Sequence, residues 1–538
     1  MSIAASRRGP RRGLVRSDGK KADPVEAGVR WVDERLGVAN KAGRGLLDKI
    51  FPDHWSFLLG EIALYSFIVL IVTGIYISLF FEASSATVIY HGAYAPLRGL
   101  KVSAAYASTL NLSFSVRSGL VIRQMHHWAA DVFVGAIAVH MARIFFTGAY
   151  RKPREINWMV GVTLLILAIV NGFIGYSLPD DLVSGTGLRI AYSIFLSIPL
   201  VGTYLAYFVF GGNWPANGDI IPRFFVLHVV VLPLVILGLI TVHLVLLVRQ
   251  KHTQFPGPGR TEKNVVGTPM YPGFIAKTTG FFFMVAGVLW AMGGLLQVNP
   301  IWQFGPYEPY KISYAVQPDW YMGWLDGALR IMPSWEFTGF GHTIPFVVFL
   351  PAVLFPGITF TIFYLWPFLE PRITGDKAMH NLLIRPRERP LHTALGAGAL
   401  GFFFTLFGAS ATDVLANFFQ ISLNSVLWFF RFAVFIVPVI VFFVAWRLCI
   451  DMNQTPGVGK RKRANVVTRS ATGEYEVTRS DMRPGDGHRE LEPTPVPTFI
   501  EVPVDADALD ADSAGCGGYP GGSEQPARHP GRRARRRR

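Results

Sequence analysis

Four histidines lie inside two long apolar stretches of this 538-residue chain, where ionisable side chains are expensive and are functional by default. His126 and His140 are fourteen residues apart in the first stretch, and His228 and His243 are fifteen apart in the second. At about 100° and 1.5 Å per helical residue, each pair lies roughly on one side of its helix, about 21 Å apart. Two such helices facing each other would form two bis-histidine sites stacked across a membrane.

Four glycines repeat this spacing on the two neighbouring apolar stretches. Gly60 and Gly74 are fourteen residues apart, as are Gly161 and Gly175. Because glycine has no Cβ, it lets a flat macrocycle approach the helix backbone. Helix packing, in which glycine is common, is the better interpretation of any single pair. Four histidines and four glycines in register on four consecutive helices instead predict two haem sites.

Two arginines flank the histidines of the second helix. Arg123 precedes His126 by three residues and Arg143 follows His140 by three, so each places a cation where a propionate in a low-dielectric site needs a partner. The alternative for Arg143 is that it begins the basic cytoplasmic loop. Pro233 should bend the fourth helix, which would help to reconcile its fifteen-residue spacing with the fourteen-residue one.

The composition places these helices in a membrane. Hydrophobic residues make up 51% of the chain and charged residues only 16%, whereas soluble domains contain about 25% charged residues. A bilayer core needs about 20 apolar residues per helix, and eight stretches qualify or nearly do. They are Trp55 to Phe81, Ser118 to Thr147, Trp158 to Leu178, Phe224 to Val248, Phe274 to Leu296, Ile344 to Leu369, Leu391 to Ala411 and Leu423 to Ile450.

The basic residues predict the orientation. The connections after the second, fourth and sixth stretches hold 4, 4 and 5 Lys or Arg, and those after the first, third, fifth and seventh hold 2, 1, 2 and 0. Since cytoplasmic loops are enriched in these residues, both termini are expected in the cytoplasm. The net charge of +15 therefore reflects topology, and no nucleic-acid partner is expected.

The remaining segments contain fewer informative sequence patterns. No apolar segment typical of a cleavable signal peptide occurs in residues 1–54. The outer connections 178–222 and 298–342 are long enough to suggest functional content, and the first should contain short surface helices. Residues 451–538 have the composition of a disordered tail. The only cysteines, Cys449 and Cys516, cannot hold a c-type haem or an iron–sulfur cluster, so such centres would belong to partners.

Several motifs resemble cytochrome b of the cytochrome bc family of quinol-oxidising complexes over about residues 50–450. They are LLG at Leu58 to Gly60 with Thr73 and Gly74, IRQMHH at Ile122 to His127, GYSLP at Gly175 to Pro179, RFFVLHVVVLP at Arg223 to Pro233 and PDWY at Pro318 to Tyr321. The eight helices, the fifteen-residue histidine spacing and the long basic tail are similar to the actinobacterial branch. The resemblance implies an all-α polytopic membrane protein with an N-terminal four-helix dihaem bundle.

The resemblance also implies the domain order and the haem positions. A cytoplasmic segment 1–54 would precede the dihaem bundle 55–263, a C-terminal four-helix domain 264–450 carrying the quinol-site loop, and the disordered cytoplasmic tail 451–538. Two non-covalent b haems would have bis-histidine ligation. The implied contacts are His126, His228, Gly74, Gly175 and Arg123 for the outer, low-potential haem, and His140, His243, Gly60, Gly161 and Arg143 for the inner, high-potential haem.

An outer quinol site is implied between GYSLP and PDWY. Tyr176, Asp319 and Tyr321 are its expected catalytic residues; the expected quinol-binding residues are Pro179, Pro318 and Trp320. The PDWY motif has Asp319 where the family has Glu, which shortens the reach of the carboxylate. A carboxylate suits this role because quinol oxidation releases protons. The alternative is that Asp319 only caps a short helix.

An inner quinone site is implied near YPGFIAK, at Tyr271 to Lys277. The family places a Lys–Asp pair here, but Thr278 follows Lys277. A family histidine after the inner haem ligand is replaced by Val248, followed by Arg249. The candidates for this site are Lys277, Glu61 and Arg249, with His252, Asp53 and His54 as further ones. A structural cytoplasmic cluster explains these residues equally well.

The function implied is a Q cycle in the plasma membrane. Quinol, by the actinobacterial resemblance menaquinol, would be oxidised outside, and quinone would be reduced on the cytoplasmic side through the two haems. The expected partners are a Rieske iron–sulfur subunit, a c-type cytochrome with two haems, a terminal oxidase in a supercomplex, a second copy in a dimer, and membrane lipids. The alternatives are a dihaem membrane anchor of another oxidoreductase and a secondary transporter.

Overall fold

The computed structural model describes residues 47, 49–216, 220–311, 313, 317–339, 341–454, 463–469 and 475–481. In this part of the chain, eight helices are long and apolar enough to cross a membrane, which confirms the predicted number. We call them spans 1 to 8. Their bounds are Trp55–Ser78, Gly119–Phe146, Glu155–Ser177, Ile220–Gln250, Met270–Leu295, Phe346–Thr374, Pro390–Ala409 and Leu423–Asn453.

Wide π-helical turns interrupt two spans, each beside a proline. Leu227–Val231 precedes Pro233 in span 4, and Leu350–Leu354 contains Pro351 in span 6. Span 5 differs, because the extended backbone of Tyr271 interrupts the helix just before Pro272. Proline lacks the backbone N–H and clashes with the carbonyl four residues earlier, so a wider turn relieves the contact. A π turn thus lies beside Pro233, where the sequence predicts a bend.

Short helices and hairpins fill the connections. The segment 178–222 contains the helices Leu182–Leu196 and Gly202–Phe210, as predicted; the first begins with a capping box in which the carboxylate of Asp181 accepts from the N–H groups of Val183 and Ser184. The other helices of the connections are Ala95–Leu97, Ala104–Phe114, Ile301–Phe304, Trp320–Met322, Gly323–Ile331, Pro386–Glu388 and Thr412–Phe419. The strand pairs are Ile50–Phe51 with Thr268–Pro269, Thr87–Ile89 with Lys101–Ser103, and Phe337–Gly339 with His342–Ile344.

Part of the predicted tail has regular structure. The strands Arg463–Arg469 and Tyr475–Asp481 pair antiparallel, a feature that the composition of the tail does not predict. Their Val and Thr residues have branched side chains, which favour strands. The rest of 455–538 lies outside the described residues, as does the N-terminal segment up to residue 46.

The main apolar core lies among spans 1, 2 and 3. Phe67, Phe133, Val162 and Leu165 are buried there, and Ile236 of span 4 joins them. The four spans thus pack into one bundle whose interior carries the histidines. We refer to its two ends as the His126 end and the His140 end.

At the His140 end, a buried guanidinium joins three loops. Arg154 donates to the backbone oxygens of His380, Gln250 and Lys251, and to the side-chain oxygen of Asn381 at 2.7 Å. These hydrogen bonds satisfy carbonyl groups at the end of span 4. They also attach the loop after span 6 to the bundle.

Candidate functional site

At the His126 end, two histidines face each other across the bundle. The ring centroids of His126 and His228 are 6.1 Å apart, with the ring planes at 76°. Two imidazoles that bind one metal ion from opposite sides, at about 2 Å per bond, have a similar separation. Both rings border a cavity of about 720 Å³, which is also lined by Gly74, Gly175 and Arg123.

Neighbouring oxygens fix the protonation of these two rings. The Thr73 hydroxyl donates to the backbone oxygen of Val69 at 2.6 Å, so its lone pairs can accept from Nδ1 of His126 at 2.9 Å. Nδ1 of His228 lies 3.0 Å from the backbone oxygen of Asn171 and 3.1 Å from its side-chain oxygen, and both are acceptors. Each Nδ1 therefore carries the hydrogen, and each Nε2 has a lone pair free for iron.

At the His140 end lies the second pair. It consists of His140 in span 2 and His243 in span 4, and the Nδ1 of each ring is buried. Unlike the rings at the other end, His140 has a buried Nδ1 without a hydrogen-bond partner in the described part of the chain. The protein thus leaves this nitrogen unpaired, whereas it pairs both Nδ1 atoms at the other end.

Three of the four predicted glycines lie against these rings. A Cβ on Gly60 would be 3.2 Å from Cε1 of His140, one on Gly74 would be 3.1 Å from Cε1 of His126, and one on Gly175 would overlap His228. Gly161 differs, because a Cβ there would meet no described atom within 4 Å. At the first three positions the absence of a Cβ makes space for the histidine rings. Gly161 faces open space that a flat ligand could occupy.

The π turn explains the unequal histidine spacing. His228 lies within the turn Leu227–Val231, and the rest of span 4 to His243 is α-helical. A π turn holds about one residue more than an α turn. The fifteen residues between the two histidines therefore cover about the same rotation as the fourteen residues of span 2, and both rings of span 4 can face the bundle interior.

Two arginines at opposite ends of span 2 each have a buried nitrogen without a partner in the described part of the chain. Arg123 donates to the backbone oxygen of Asn299 at 3.1 Å, and its Nε has no partner among the described residues. Arg143 donates to Oγ of Ser56 at 3.3 Å and lies 4.3 Å from the Phe57 ring centroid, while its Nη2 is equally unpaired there. Unsatisfied buried guanidinium groups suit anionic substituents such as propionates, so these residues fit a haem at each end.

A second cavity, of about 610 Å³, adjoins the His126 end. It lies between the helix Leu182–Leu196 and the PDWY loop, and Tyr176, Pro318, Asp319 and Tyr321 line it. Tyr176, Asp319 and Tyr321 also line the larger cavity, so these three side chains lie between the two cavities; Pro179 lines the larger cavity alone. Trp320 differs from the other expected residues, because it packs toward span 2, where a Cβ on Gly135 would be 3.3 Å from its ring.

The carboxylate of Asp319 does not cap a helix. Asp319 is the N-cap residue of Trp320–Met322 but makes no side-chain capping bond. Its Oδ1 instead lies 2.9 Å from Nε2 of His127, and its Oδ2 accepts from the Tyr321 hydroxyl at 2.9 Å. Burial, followed by the charge of Asp319, raises the pKa of Tyr321 well above its usual range, so the phenol remains a donor.

Sequence reasoning missed two polar residues beside this carboxylate and a third that borders the second cavity. Atoms of His127, Asp131 and Asp319 all lie within 4.8 Å of one another. The i, i+4 spacing of His127 and Asp131 inside an apolar span was a signal that could have found them. Asp326 borders the second cavity and forms an ion pair of 2.8 Å with Arg330; burial raises the pKa of Asp326.

At the His140 end, the expected residues form two hydrogen-bonded groups. Lys277 forms a 3.0 Å ion pair with Asp53, whose other carboxylate oxygen accepts from Thr268 at 2.7 Å. The hydrogen bond from Thr268 is the largest cause that lowers the pKa of Asp53. Asp53 thus supplies the carboxylate that the sequence lacks beside Lys277.

The second group lies deeper in the bundle. Glu61 accepts from Thr278 at 2.8 Å and from the Tyr65 hydroxyl at 3.0 Å, and Tyr65 also contacts Thr278. Thr278 therefore hydrogen-bonds a carboxylate of span 1. Arg249 is exposed at the end of span 4.

His54 and His252 were the two histidines among the further candidates for the inner quinone site. His54 accepts through Nδ1 from the N–H of Ser56 at 3.2 Å, and His252 packs 4.4 Å from the Phe51 ring centroid. Burial is the largest cause that lowers the pKa of both, to about 4 for His252. At neutral pH both rings are therefore uncharged.

Comparison with known proteins gives one consistent result. Residues 131–306 match the family model described as Cytochrome b(N-terminal)/b6/petB. The cytochrome bc1 complex cytochrome b subunit of Streptomyces coelicolor is 45% identical over 94% of this chain and 92% of its own length. That of Mycobacterium tuberculosis is 50% identical over 83% of this chain and 81% of its own length.

A solved structure has a similar fold. A chain of a hyperthermophilic respiratory Complex III aligns with a TM-score of 0.58 and 20% identity, and the match covers 78% of this chain and all of that one. At this identity the likeness concerns the fold alone. The relatives of high identity extend over nearly the whole chain, and with the facing histidines they show that it belongs to the family of cytochrome b subunits of the cytochrome bc1 complex.

Proposed function

We propose that the chain binds two b haems, one between His126 and His228 and one between His140 and His243, and carries electrons between two quinone sites of a quinol–cytochrome c oxidoreductase. The observation that supports this best is the facing histidine pair, whose Nε2 atoms are free as ligands beside a large apolar cavity. When bound, the haems would supply one-electron redox chemistry. The protein holds them, excludes water and handles protons.

The distribution of basic residues supports the orientation. The loop between spans 2 and 3 contains Arg151, Lys152 and Arg154 and lies at the His140 end, so this end would face the cytoplasm and the His126 end the outer side. We accordingly take the chain to be an integral protein of the plasma membrane with both termini in the cytoplasm. The four segments predicted as domains, 1–54, 55–263, 264–450 and 451–538, remain part of this proposal.

The quinol would be oxidised in the second cavity. Conversion of a quinol to a quinone releases two electrons and two protons, and Asp319 is the carboxylate that borders both this cavity and the one beside His126 and His228, where it can accept a proton. The phenol of Tyr321 holds Oδ2 in place by donating to it, while His127 holds Oδ1. Tyr176 stands beside His127, with 6.4 Å between ring centroids. Pro179, Pro318 and Trp320 would shape the pocket.

The electrons would leave by two routes. One would pass to an iron–sulfur subunit of the Rieske type and on to a c-type cytochrome with two haems, because this chain's two cysteines cannot hold such centres. The other would pass through the two b haems. Menaquinol as the substrate, a dimer and a supercomplex with a terminal oxidase complete the proposal by analogy with the actinobacterial relatives.

The haem count tests the proposal directly. We expect two b haems per chain in the purified complex, measured from reduced-minus-oxidised difference spectra together with pyridine haemochrome quantification. Two resolved reduction steps are expected in a redox titration, because the two ends of the bundle surround their histidines differently. One haem per chain, or none, would contradict the bis-histidine assignment.

Quinone would be reduced at the His140 end, where Lys277 and Asp53 form an exposed pair above the deeper Glu61 group. Positioned acid–base groups contribute about 100- to 10,000-fold. Because this pair is exposed, we expect Asp53→Asn and Lys277→Gln to have a smaller effect and to slow quinone reduction by about ten- to 100-fold. The measurement is reoxidation of pre-reduced b haem by added quinone, followed by stopped flow.

The matched control is Lys311→Gln, which removes the ion pair between the exposed Lys311 and Glu308, in the connection between spans 5 and 6 at the His126 end. It should leave the reoxidation rate unchanged. Wild-type reoxidation rates in both Asp53→Asn and Lys277→Gln, with both haems present, would assign this pair to structure alone.

A further inference from the structure

The rings at the two ends of the bundle differ in their hydrogen bonds. The Nδ1 of His126 donates to the hydroxyl oxygen of Thr73, and the Nδ1 of His228 donates to the backbone and side-chain oxygens of Asn171. In this geometry these oxygens can only accept. The Nδ1 of His140 is buried and has no such acceptor in the described part of the chain. In the sequence the two ends differ at the position of Thr73, because Thr73 precedes Gly74 whereas Leu59 precedes Gly60; Asn171 and Asn157 each lie one turn before their glycines, Gly175 and Gly161.

We infer that Thr73 and Asn171 are positioning residues that lower the potential of the haem at the His126 end relative to the haem at the His140 end. This inference rests on the proposed bis-histidine ligation. An acceptor at Nδ1 draws the N–H hydrogen away and makes Nε2 a stronger electron donor. Stronger donation favours ferric over ferrous iron, so the midpoint potential falls.

Thr73 is the better defined of the two. Its hydroxyl hydrogen is used by the backbone oxygen of Val69 at 2.6 Å, so the hydroxyl can serve His126 only as an acceptor. Thr73 is buried, and in a medium of low dielectric constant a hydrogen bond of this kind is strengthened. Asn171 contributes through two oxygens, of which the backbone one would survive any substitution.

The order of the two haem potentials determines the direction of electron transfer. An electron that arrives at the His126 end moves to the other haem only if the second has the higher potential. By holding the first potential down, Thr73 and Asn171 would favour transfer toward the His140 end and away from the quinol pocket. Neither residue need contact quinol or iron to do so.

Three substitutions of Thr73 in the intact complex test the inference. Thr73→Val keeps the shape of the side chain and removes the acceptor, Thr73→Cys weakens it, and Thr73→Ser retains it. We expect the lower midpoint potential to rise most in the Val variant, less in the Cys variant and not in the Ser variant, with the higher potential unchanged. The equilibrium constant between the haems should fall about three- to tenfold in the Val variant, as for the loss of one hydrogen bond.

The measurements are redox titrations of the α-band absorbance and resonance Raman spectra of the iron–histidine modes. Equal potentials in the Val, Cys and Ser variants would overturn the inference, as would a shift of the higher potential only. Asn171→Leu provides a second arm, in which a smaller rise is expected because the backbone oxygen remains; it decides the matter if the Val variant binds no haem. A wild-type complex without two b haems would refute the proposed ligation itself, which is a separate outcome.

Discussion

Replacing His126 or His228 by Ala should remove one of the two b haems and abolish quinol oxidation. The two rings face each other at 6.1 Å, so the loss of either leaves the iron with a single protein ligand and an apolar cavity on its other side. Difference spectra should show half of the wild-type b absorbance, with the higher-potential step retained. Quinol–cytochrome c reductase activity should fall by more than about 100-fold, since the electron path then has no first acceptor.

A histidine elsewhere in a span provides the control. His392 lies in span 7 and contacts the Tyr150 hydroxyl at 3.2 Å and the Phe145 ring. His392→Gln should keep both haems. Two intact bis-histidine haems in His126→Ala or His228→Ala would refute the ligand assignment, whatever the activity.

Asp319→Asn should slow quinol oxidation by about 100-fold or more while both haems remain in place. The amide keeps the size of the side chain but can no longer accept a proton from quinol, and positioned acid–base groups contribute about 100- to 10,000-fold. The measurement is the rate of haem reduction by quinol from pH 5 to 9. Asp319→Glu should restore part of the rate.

Glu308→Gln is the matched control for Asp319. Glu308 is a carboxylate in the same long connection, paired with Lys311, and its loss should leave quinol oxidation unchanged. If Asp319→Asn oxidises quinol at the wild-type rate across the pH range, another group accepts the proton. His127 and Asp131, within 4.8 Å, would be the next residues to test.

The sequence predicted what depends on periodicity. Hydrophobic length located eight spans, and the fourteen-residue repeats brought Gly60, Gly74 and Gly175 against histidines of other helices. Such contacts are predictable because the rotation per residue of a helix fixes which residues share a face. The surface helices of 178–222 followed from the same reasoning.

Contacts between distant loops were not predictable in this way. His127 and Asp319 are 192 residues apart, and Asp53 and Lys277 are 224 apart. Each pair forms because loops pack against particular helix ends, which no local pattern specifies. Thr278 stands where the family has Asp, which suggested that Lys277 lacks a carboxylate beside it. The fold supplies one, that of Asp53, from the segment before span 1. The hairpin of 463–481 was hidden because the composition around it is typical of disorder.

The π turn of span 4 has a consequence for how this helix can vary. One residue corresponds to about 100° of rotation, so deleting a residue between His228 and His243 while keeping the turn would swing one ring out of the bundle. A shorter spacing is compatible with both rings only if the turn closes to an α turn at the same time. The number of residues between His228 and His243 and the type of turn therefore have to change together. Removing one residue requires the π turn to become an α turn, and closing the π turn requires one residue fewer.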